Sequence, residues 1–129
     1  MARGIEIRAA HFPGRAPIDA YGNGGFRFAE MSHRGSLLLL PSGIYGWDMT
    51  PENALTPDHF QRVLDEAADI EFLLVGTGTE MRPLPAALKT ALRDRKIGAD
   101  PMNTGAAVRT YNIMLSESRA VAAALIAVE

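Results

Sequence analysis

The sequence predicts an α/β fold in which helices pack on a mixed β-sheet. After Pro17, apolar and polar residues alternate, as is typical of antiparallel strands. From residue 56 onward helical periodicity appears, and helices and strands then follow one another along the chain. Strands joined through helices prefer to lie parallel, so the early and late strands together predict a mixed sheet. With 129 residues, the chain has the size of one domain with one core.

The N-terminal segment lacks this alternation. Residues 1–17 contain three arginines and a single acidic residue, and no amphipathic pattern develops in them. We therefore expect a loosely held N-terminal arm over residues 1–17 and a single α/β domain over residues 18–129.

The predicted domain begins with antiparallel strands. Phe26 and Phe28 alternate with Arg27, so the two aromatic rings share one face of a strand. Asn23-Gly24 and His33-Arg34-Gly35 carry turn residues and are expected to separate the first strands.

The first helix is predicted from residue 56 onward. Thr56 is a favoured N-cap, and the proline after it suits the first helical position. An apolar stripe follows at helical spacing and comprises Phe60, Val63, Leu64 and Ala67. These features predict one helix of about three turns.

A strand, a second helix and another strand come next. The strand is Glu71 to Val75, and Pro85 marks the start of the helix. Gly98 suits the left-handed residue that ends the helix, and residues 97–102 form the next short strand.

A third helix and an apolar segment complete the predicted fold. The third helix runs over residues 104–117. The following segment, "RAVAAALIAV", is compatible with a strand, although its alanines also permit a helical extension.

Composition excludes several classes of function. The formal net charge is -2 and no basic run occurs, whereas a protein that wraps nucleic acid needs a concentrated basic face. Without cysteine, the chain has no disulfide, thiolate ligand or cysteine nucleophile. The apolar runs are far too short to span a bilayer, so we expect a soluble protein that does not insert into a membrane.

The most conspicuous polar stretch lies inside the third predicted helix. On a helical wheel Tyr111 shares an apolar stripe, whereas Arg109 and Asn112 lie on another face. The residues form either a small polar recess or a set of contacts that fasten the helix to its neighbours. If the recess exists, its arginine and the helix N-terminus favour a small anion.

A Gly-Thr-Gly loop follows the strand before the second helix, where ligand sites of α/β proteins commonly lie. It lacks the third glycine of a dinucleotide-binding motif. The candidate ligand-binding residues of the recess are Gly76, Thr77, Gly78, Thr104, Arg109, Tyr111 and Asn112.

Other reactive residues form no recognisable set. The three histidines lack metal-ligand spacing, and no serine has the sequence frame of a hydrolase nucleophile. We therefore expect no metal, no cofactor and no catalytic residue. Trp47 is either a core residue or, with Tyr45, the centre of a protein-binding surface.

Four segments of the chain carry a family resemblance. They are, in order, "GSLLLLPSGIYGW", "EFLLVGTGTE", "NTGAAVRTYNIMLSE" and "RAVAAALIAV". Over residues 18–128 the chain resembles the MTH-nine-thirty-eight-like family, a small α/β domain of unknown function that includes a mitochondrial respiratory complex I assembly factor. The resemblance implies a three-layer domain, a mixed central sheet with helices on its two faces, and a pocket where the Gly-Thr-Gly loop meets the Arg-Thr-Tyr-Asn helix.

The resemblance also implies a function. We expect a protein-binding assembly factor for a membrane-bound respiratory complex like complex I, or for a translocation complex, located in the cytoplasm or, in a eukaryote, in mitochondria. The alternative is a small-anion-binding module or an enzyme that uses the recess at Arg109 and the Gly76–Gly78 loop. An enzyme is the less favoured alternative because no complete catalytic set is present.

Overall fold

The computed structural model describes residues 12–129, which contain two β-sheets and three α-helices. The strands are β1 (Ile18–Gly22), β2 (Gly25–Phe28), β3 (Met31–Arg34), β4 (Ser36–Leu40), β5 (Gly43–Trp47), β6 (Phe72–Gly76), β7 (Gly98–Met102) and β8 (Val121–Leu125). The α-helices are α1 (Gln61–Asp65), α2 (Ala86–Asp94) and α3 (Thr104–Ser116), and 3₁₀ turns occupy Pro57–Phe60 and Ala67–Asp69. Most of the predicted arm, residues 1–11 with His11, lies outside the described residues.

The main sheet is mixed, as predicted. Its strand order is β5-β4-β8-β6-β7, in which β4 pairs antiparallel with β5 and β8, and β6 pairs parallel with β7 and β8. Strands β1, β2 and β3 form a separate antiparallel sheet. The closing apolar segment is therefore a strand, β8, and it occupies the centre of the main sheet.

The main sheet separates two hydrophobic cores. Leu38 and Leu40 of β4 face the core beneath α1 and α2. Leu37 and Leu39 face the opposite core, which α3 and the three-stranded sheet cover. Each buried leucine contributes roughly 1.5–3 kcal/mol to the free energy of unfolding. The α/β prediction of a mixed central sheet flanked by helices is thus confirmed.

The last residues of the predicted arm pack against the domain. Phe12 bridges to Ile44 at the edge of β5, with the Phe12 amide donating to the Ile44 carbonyl at 3.1 Å and the reverse bond at 2.9 Å. Ala16 is buried in the second core, and a guanidinium nitrogen of Arg15 donates to the Arg119 carbonyl at 3.1 Å. Residues 12–16 therefore belong to the packed structure.

The first strands differ from the prediction at one turn. His33 and Arg34 are part of β3, and the reversal between β2 and β3 lies instead at Ala29 and Glu30. Both turn residues have positive φ, at 47° and 62°, although neither is of a type that favours this conformation. The residue types at this turn therefore do not signal it in the sequence.

The predicted three-turn helix after Thr56 is broken into short pieces. Thr56 makes no side-chain capping bond, and Phe60, the last residue of the first 3₁₀ turn, has a non-helical φ of -111° immediately before α1. One cause is visible in the contacts: the Trp47 indole donates to the His59 carbonyl at 2.8 Å, so the indole rather than a helical amide satisfies this group.

Helix α2 ends two residues earlier than predicted. The left-handed residue after it is Lys96, with a φ of 63°, whereas Gly98 is the first residue of β7. Across residues 12–129, no helix has the length and apolar character needed to cross a membrane.

Candidate functional site

The entrance of helix α3 is fixed by bonds from two adjacent residues. The Asn103 side chain caps the helix by accepting from the Ala106 amide at 2.8 Å. The Thr104 hydroxyl is fully buried, donates to the Ile126 carbonyl at 2.7 Å and accepts from the Gly78 amide at 3.0 Å. Thr104 therefore joins the helix to both the Gly-Thr-Gly loop and the end of β8.

The Gly-Thr-Gly loop uses its own polar groups in the same junction. The Thr77 amide donates to the Met102 carbonyl at 2.9 Å, and the Gly76 carbonyl accepts from the Ile126 amide at 2.9 Å. With the Gly78 amide bound to Thr104, two consecutive amides of the loop already have internal partners. An anion cradle needs such amides unpaired, so this arrangement does not provide one at Thr77 and Gly78.

Gly76 is required at this junction by close packing. A Cβ atom on Gly76 would lie 3.0 Å from both the Leu125 side chain and the Thr104 Cα atom. Gly78 is required by conformation, because its φ of +111° is one that other residues rarely adopt. The two glycines thus have structural reasons that are independent of any ligand.

Asn112 fastens helix α3 to strand β1. Its side-chain oxygen accepts from the Ile18 amide and its side-chain nitrogen donates to the Ile18 carbonyl, each at 2.9 Å. The amide side chain therefore bonds β1 as another strand would, and it connects residues that are 94 positions apart in the chain. The sequence did not predict β1 as the partner of this side chain.

Tyr111 points into the second core. Its side chain is only 1% exposed and packs with the residues beneath α3. Burial raises the pKa of the Tyr111 hydroxyl to about 12, against a smaller lowering by the charge of Arg15. The phenol is therefore uncharged at neutral pH.

Arg109 lies on the solvent side of α3. Its guanidinium is near Gly105, where the exposed Tyr21 ring also packs so closely that a Cβ on Gly105 would overlap the Tyr21 hydroxyl. The sequence did not predict this contact of Tyr21. Its only signal in the sequence is the glycine in the first turn of the helix.

The seven predicted recess residues therefore make contacts in different directions. Thr104 bonds Gly78, whereas Thr77 bonds Met102 and Gly76 bonds Ile126. Asn112 bonds β1, Tyr111 enters the core and Arg109 faces solvent. Most of these residues therefore have structural contacts of their own, and a small-anion site formed by them stays a prediction.

Of the predicted protein-binding pair, Trp47 is buried and Tyr45 is half-buried. Trp47 is 8% exposed, and its ring meets Phe60 edge to face at a centroid distance of 5.3 Å. Tyr45 is half-buried, with the Arg62 guanidinium 4.4 Å above its ring. The tryptophan side chain is therefore a core residue, which is the other interpretation that the sequence left open.

No group of three or more histidine, cysteine or acidic side chains that could hold a metal ion occurs among residues 12–129.

His33 is half-buried, and desolvation lowers its pKa although a ring nitrogen lies 3.2 Å from the Ser36 carbonyl oxygen. This ring has a structural contact at the corner between β3 and β4.

Known proteins of similar structure share this fold along nearly the whole chain. A crystal structure described as an outer membrane protein from Bartonella henselae is 61% identical with a TM-score of 0.89, and the match covers 92% of this chain and 100% of that one. A solution structure from Bordetella pertussis, described as a Mth938-like domain, is 26% identical with a TM-score of 0.76 and covers 87% and 85% of the two chains.

A mouse protein supplies the most informative name. NADH dehydrogenase (ubiquinone) 1 alpha subcomplex assembly factor 3 from Mus musculus is 30% identical over 122 residues. The match covers 95% of this chain but 66% of the mouse protein, which is therefore longer than the shared domain. The predicted resemblance to the family of this assembly factor and of the Mth938-like domains is confirmed.

A model of one protein family matches residues 18–126, which is almost all of the predicted domain. Its members are described as "Protein of unknown function (DUF498/DUF598)". The chain belongs to this family.

Proposed function

We propose that this protein binds another protein and assists the assembly of a membrane-bound respiratory complex of the NADH dehydrogenase type. The observation that carries the proposal is the similarity to the mouse assembly factor, which extends over 95% of this chain. The shared part is the folded α/β domain itself, so an activity that both proteins have would reside in this domain.

The contacts at helix α3 support a binding role over a catalytic one. Thr104, Tyr111 and Asn112 use their polar groups or their burial to hold the fold together. An assembly factor needs a stable binding surface and no reactive group. A domain in which the unusual polar side chains hold secondary-structure elements together meets this requirement.

The proposal includes a location. We place the protein on the cytoplasmic side of the membrane, where it would meet the peripheral part of a respiratory complex. The Bartonella relative is described as an outer membrane protein, which favours a different compartment for that relative. Cell fractionation with an antibody against the native protein distinguishes the two locations.

The main test is deletion of the gene in the source organism. We expect lower NADH:quinone oxidoreductase activity in membranes and accumulation of partly assembled complex on native gels, both restored by the wild-type gene. Succinate:quinone oxidoreductase activity is the internal control, since another complex catalyses it. Normal NADH:quinone activity and normal complexes in the deletion strain would refute the proposal, and a defect confined to protein translocation would assign the protein to a different membrane complex.

A further inference from the structure

Helix α2 and the edge strand β7 form an open groove at one end of the main sheet. The cavity has a volume of about 360 Å³. Its apolar lining includes Met81, Pro83, Leu84, Ile97 and Pro101. Met81 is 56% exposed, and within residues 12–129 only Tyr21 and Ile113 are other exposed large apolar side chains. Apolar surface of this kind marks sites of association in soluble domains.

The edge of the sheet beside this groove does not favour addition of another strand. The Gly98 amide bonds the Glu71 carbonyl, and the Met102 carbonyl bonds the Thr77 amide, so the main chain at both positions points toward β6. By alternation, Ala99 and Pro101 point their main-chain groups outward, and proline has no amide hydrogen to donate. A bound segment would therefore rest on side chains of the groove.

The rim of the groove is basic. Lys89 and Arg93 lie one helical turn apart on α2, and both line the cavity. Neither forms a salt bridge within the described part of the chain, and the exposed Asp94 and Asp100 do not line the groove. In a protein with a net charge of -2, this pair is a local concentration of positive charge beside an apolar surface.

We propose that this groove binds a short segment of a partner protein in which a few apolar side chains are flanked by aspartate or glutamate. The inference rests on the proposed function, because the segment would belong to the protein that is assembled. Residues 1–11 of this chain fit the rim poorly, since they contain two arginines and one glutamate and would be repelled by Lys89 and Arg93.

The test uses the full-length protein labelled with ¹⁵N and three capped peptide probes. The acidic probe is Glu-Asp-Leu-Leu-Phe-Asp-Glu. In the basic probe every acidic residue is replaced by lysine, and in the polar probe every apolar residue is replaced by serine. We expect the acidic probe alone to shift amide resonances around Met81, Leu84 and Ala99, with weaker binding at high salt.

Charge-reversed variants test the rim. The double variant Lys89→Glu/Arg93→Glu should bind the acidic probe about tenfold more weakly, because two attractions become two repulsions. The matched control is Arg27→Glu/Arg34→Glu, which makes the same change of charge on the exposed face of the three-stranded sheet and should bind the probe as the wild type does.

Several results would overturn the inference. They are failure of the acidic probe to bind, equal binding of the basic probe, unchanged binding by the Lys89/Arg93 variant, and shifts that lie outside the groove. Tighter probe binding after removal of residues 2–11 would show that the chain's own N-terminus is the occupant. Self-association that the Lys89/Arg93 variant abolishes would assign the groove to a second copy.

The groove and the proposed function can fail separately. If the deletion strain has a defect that the Lys89/Arg93 variant fully complements, the assembly role stands and the groove inference is wrong. If the deletion strain has no defect, the assembly role is wrong, and the peptide titration still decides whether the groove recognises acidic and apolar segments.

Discussion

Helices α3 and α2 illustrate opposite uses of side chains in the same domain. On α3 the unusual polar residues Thr104 and Asn112 are bonded internally, and their partners lie in distant parts of the chain. On α2, Lys89 and Arg93 are ordinary exposed residues of an amphipathic helix, and neither forms a salt bridge within residues 12–129. They lie beside the apolar groove that α2 forms with β7. Helix α3 thus stabilises the fold, whereas α2 contributes exposed side chains to the groove.

The difference has a physical origin. A buried polar group destabilises the fold unless it is hydrogen-bonded, so a polar residue in the interior requires a specific partner and stands out in the sequence. A single exposed apolar residue destabilises the fold little and is common on protein surfaces. It indicates a binding site only where it forms part of a larger apolar patch on the folded surface. The exposed Met81 and the edge of the buried Ile97 line one groove only because α2 packs beside β7.

The largest effect on stability is expected at Thr104. Replacing Thr104 with valine keeps the shape but removes the hydroxyl, which leaves the Gly78 amide and the Ile126 carbonyl without this partner in a buried site. We expect a loss of about 3 kcal/mol in the free energy of unfolding, measured by urea denaturation.

Serine at the same position is the matched control for Thr104. It retains the hydroxyl and loses one methyl group, so its cost should be about 1 kcal/mol. If the valine variant proved as stable as the serine variant, the hydroxyl bonds would not be what holds α3 to the loop.

High pH should weaken the packing of α3 through Tyr111. Its pKa is raised to about 12 in the folded protein, compared with about 10 in an unfolded chain. The folded state therefore holds the proton more tightly, and stability should decrease as the pH rises above 10, by roughly 2 kcal/mol by the time it reaches 12. Urea denaturation at a series of alkaline pH values measures this decrease.

Replacing Tyr111 with phenylalanine removes this ionisation and is the control. The variant should lose less stability between pH 10 and pH 12 than the wild type, whatever its stability at neutral pH. Parallel pH profiles of the two proteins would contradict the assignment of the alkaline transition to Tyr111.

Two glycines near α3 should respond differently to alanine. A Cβ on Gly76 meets the main chain at Thr104 Cα as well as buried Leu125, so Gly76→Ala should cost about 2 kcal/mol. A Cβ on Gly105 meets the end of the exposed Tyr21 side chain, which can move, and alanine favours the helix.

Gly105→Ala should therefore change the free energy of unfolding by less than about 1 kcal/mol. Thermal unfolding of both variants measures the two changes. Equal losses in the two variants would show that the junction at Gly76 is no more rigid than the helix surface at Gly105.

Much of the fold was predictable because local patterns determine its elements. The periodicity of α3 and the apolar run of β6 gave these elements with bounds that differ from the structure by about one residue. The turn at Ala29 and Glu30 was not predictable, since neither residue type signals positive φ. The break before α1 depends on the indole of Trp47, which is distant in sequence and close only in the fold.

The candidate site was predicted less well for a related reason. The sequence identified Thr104 and Asn112 as unusual, but their partners at Ile126 and Ile18 are created by the fold. A single sequence does not distinguish a polar residue that bonds two secondary-structure elements from a polar residue that binds a ligand. Their hydrogen-bond partners distinguish them, and these appear only in the structure.

The smallest effects on stability are expected on the two surfaces. Arg109→Ala and the double variant Lys89→Glu/Arg93→Glu alter exposed side chains that form no salt bridge within residues 12–129, so each should change the free energy of unfolding by no more than about 0.5 kcal/mol. Complementation of the deletion strain should nevertheless separate them. Arg109→Ala should restore NADH:quinone oxidoreductase activity, because the residue neither anchors α3 nor lines the groove, whereas the double variant should fail at normal expression level. If the Arg109 variant failed and the double variant succeeded, the binding surface would lie on α3, and the division of roles between the two helices would be reversed.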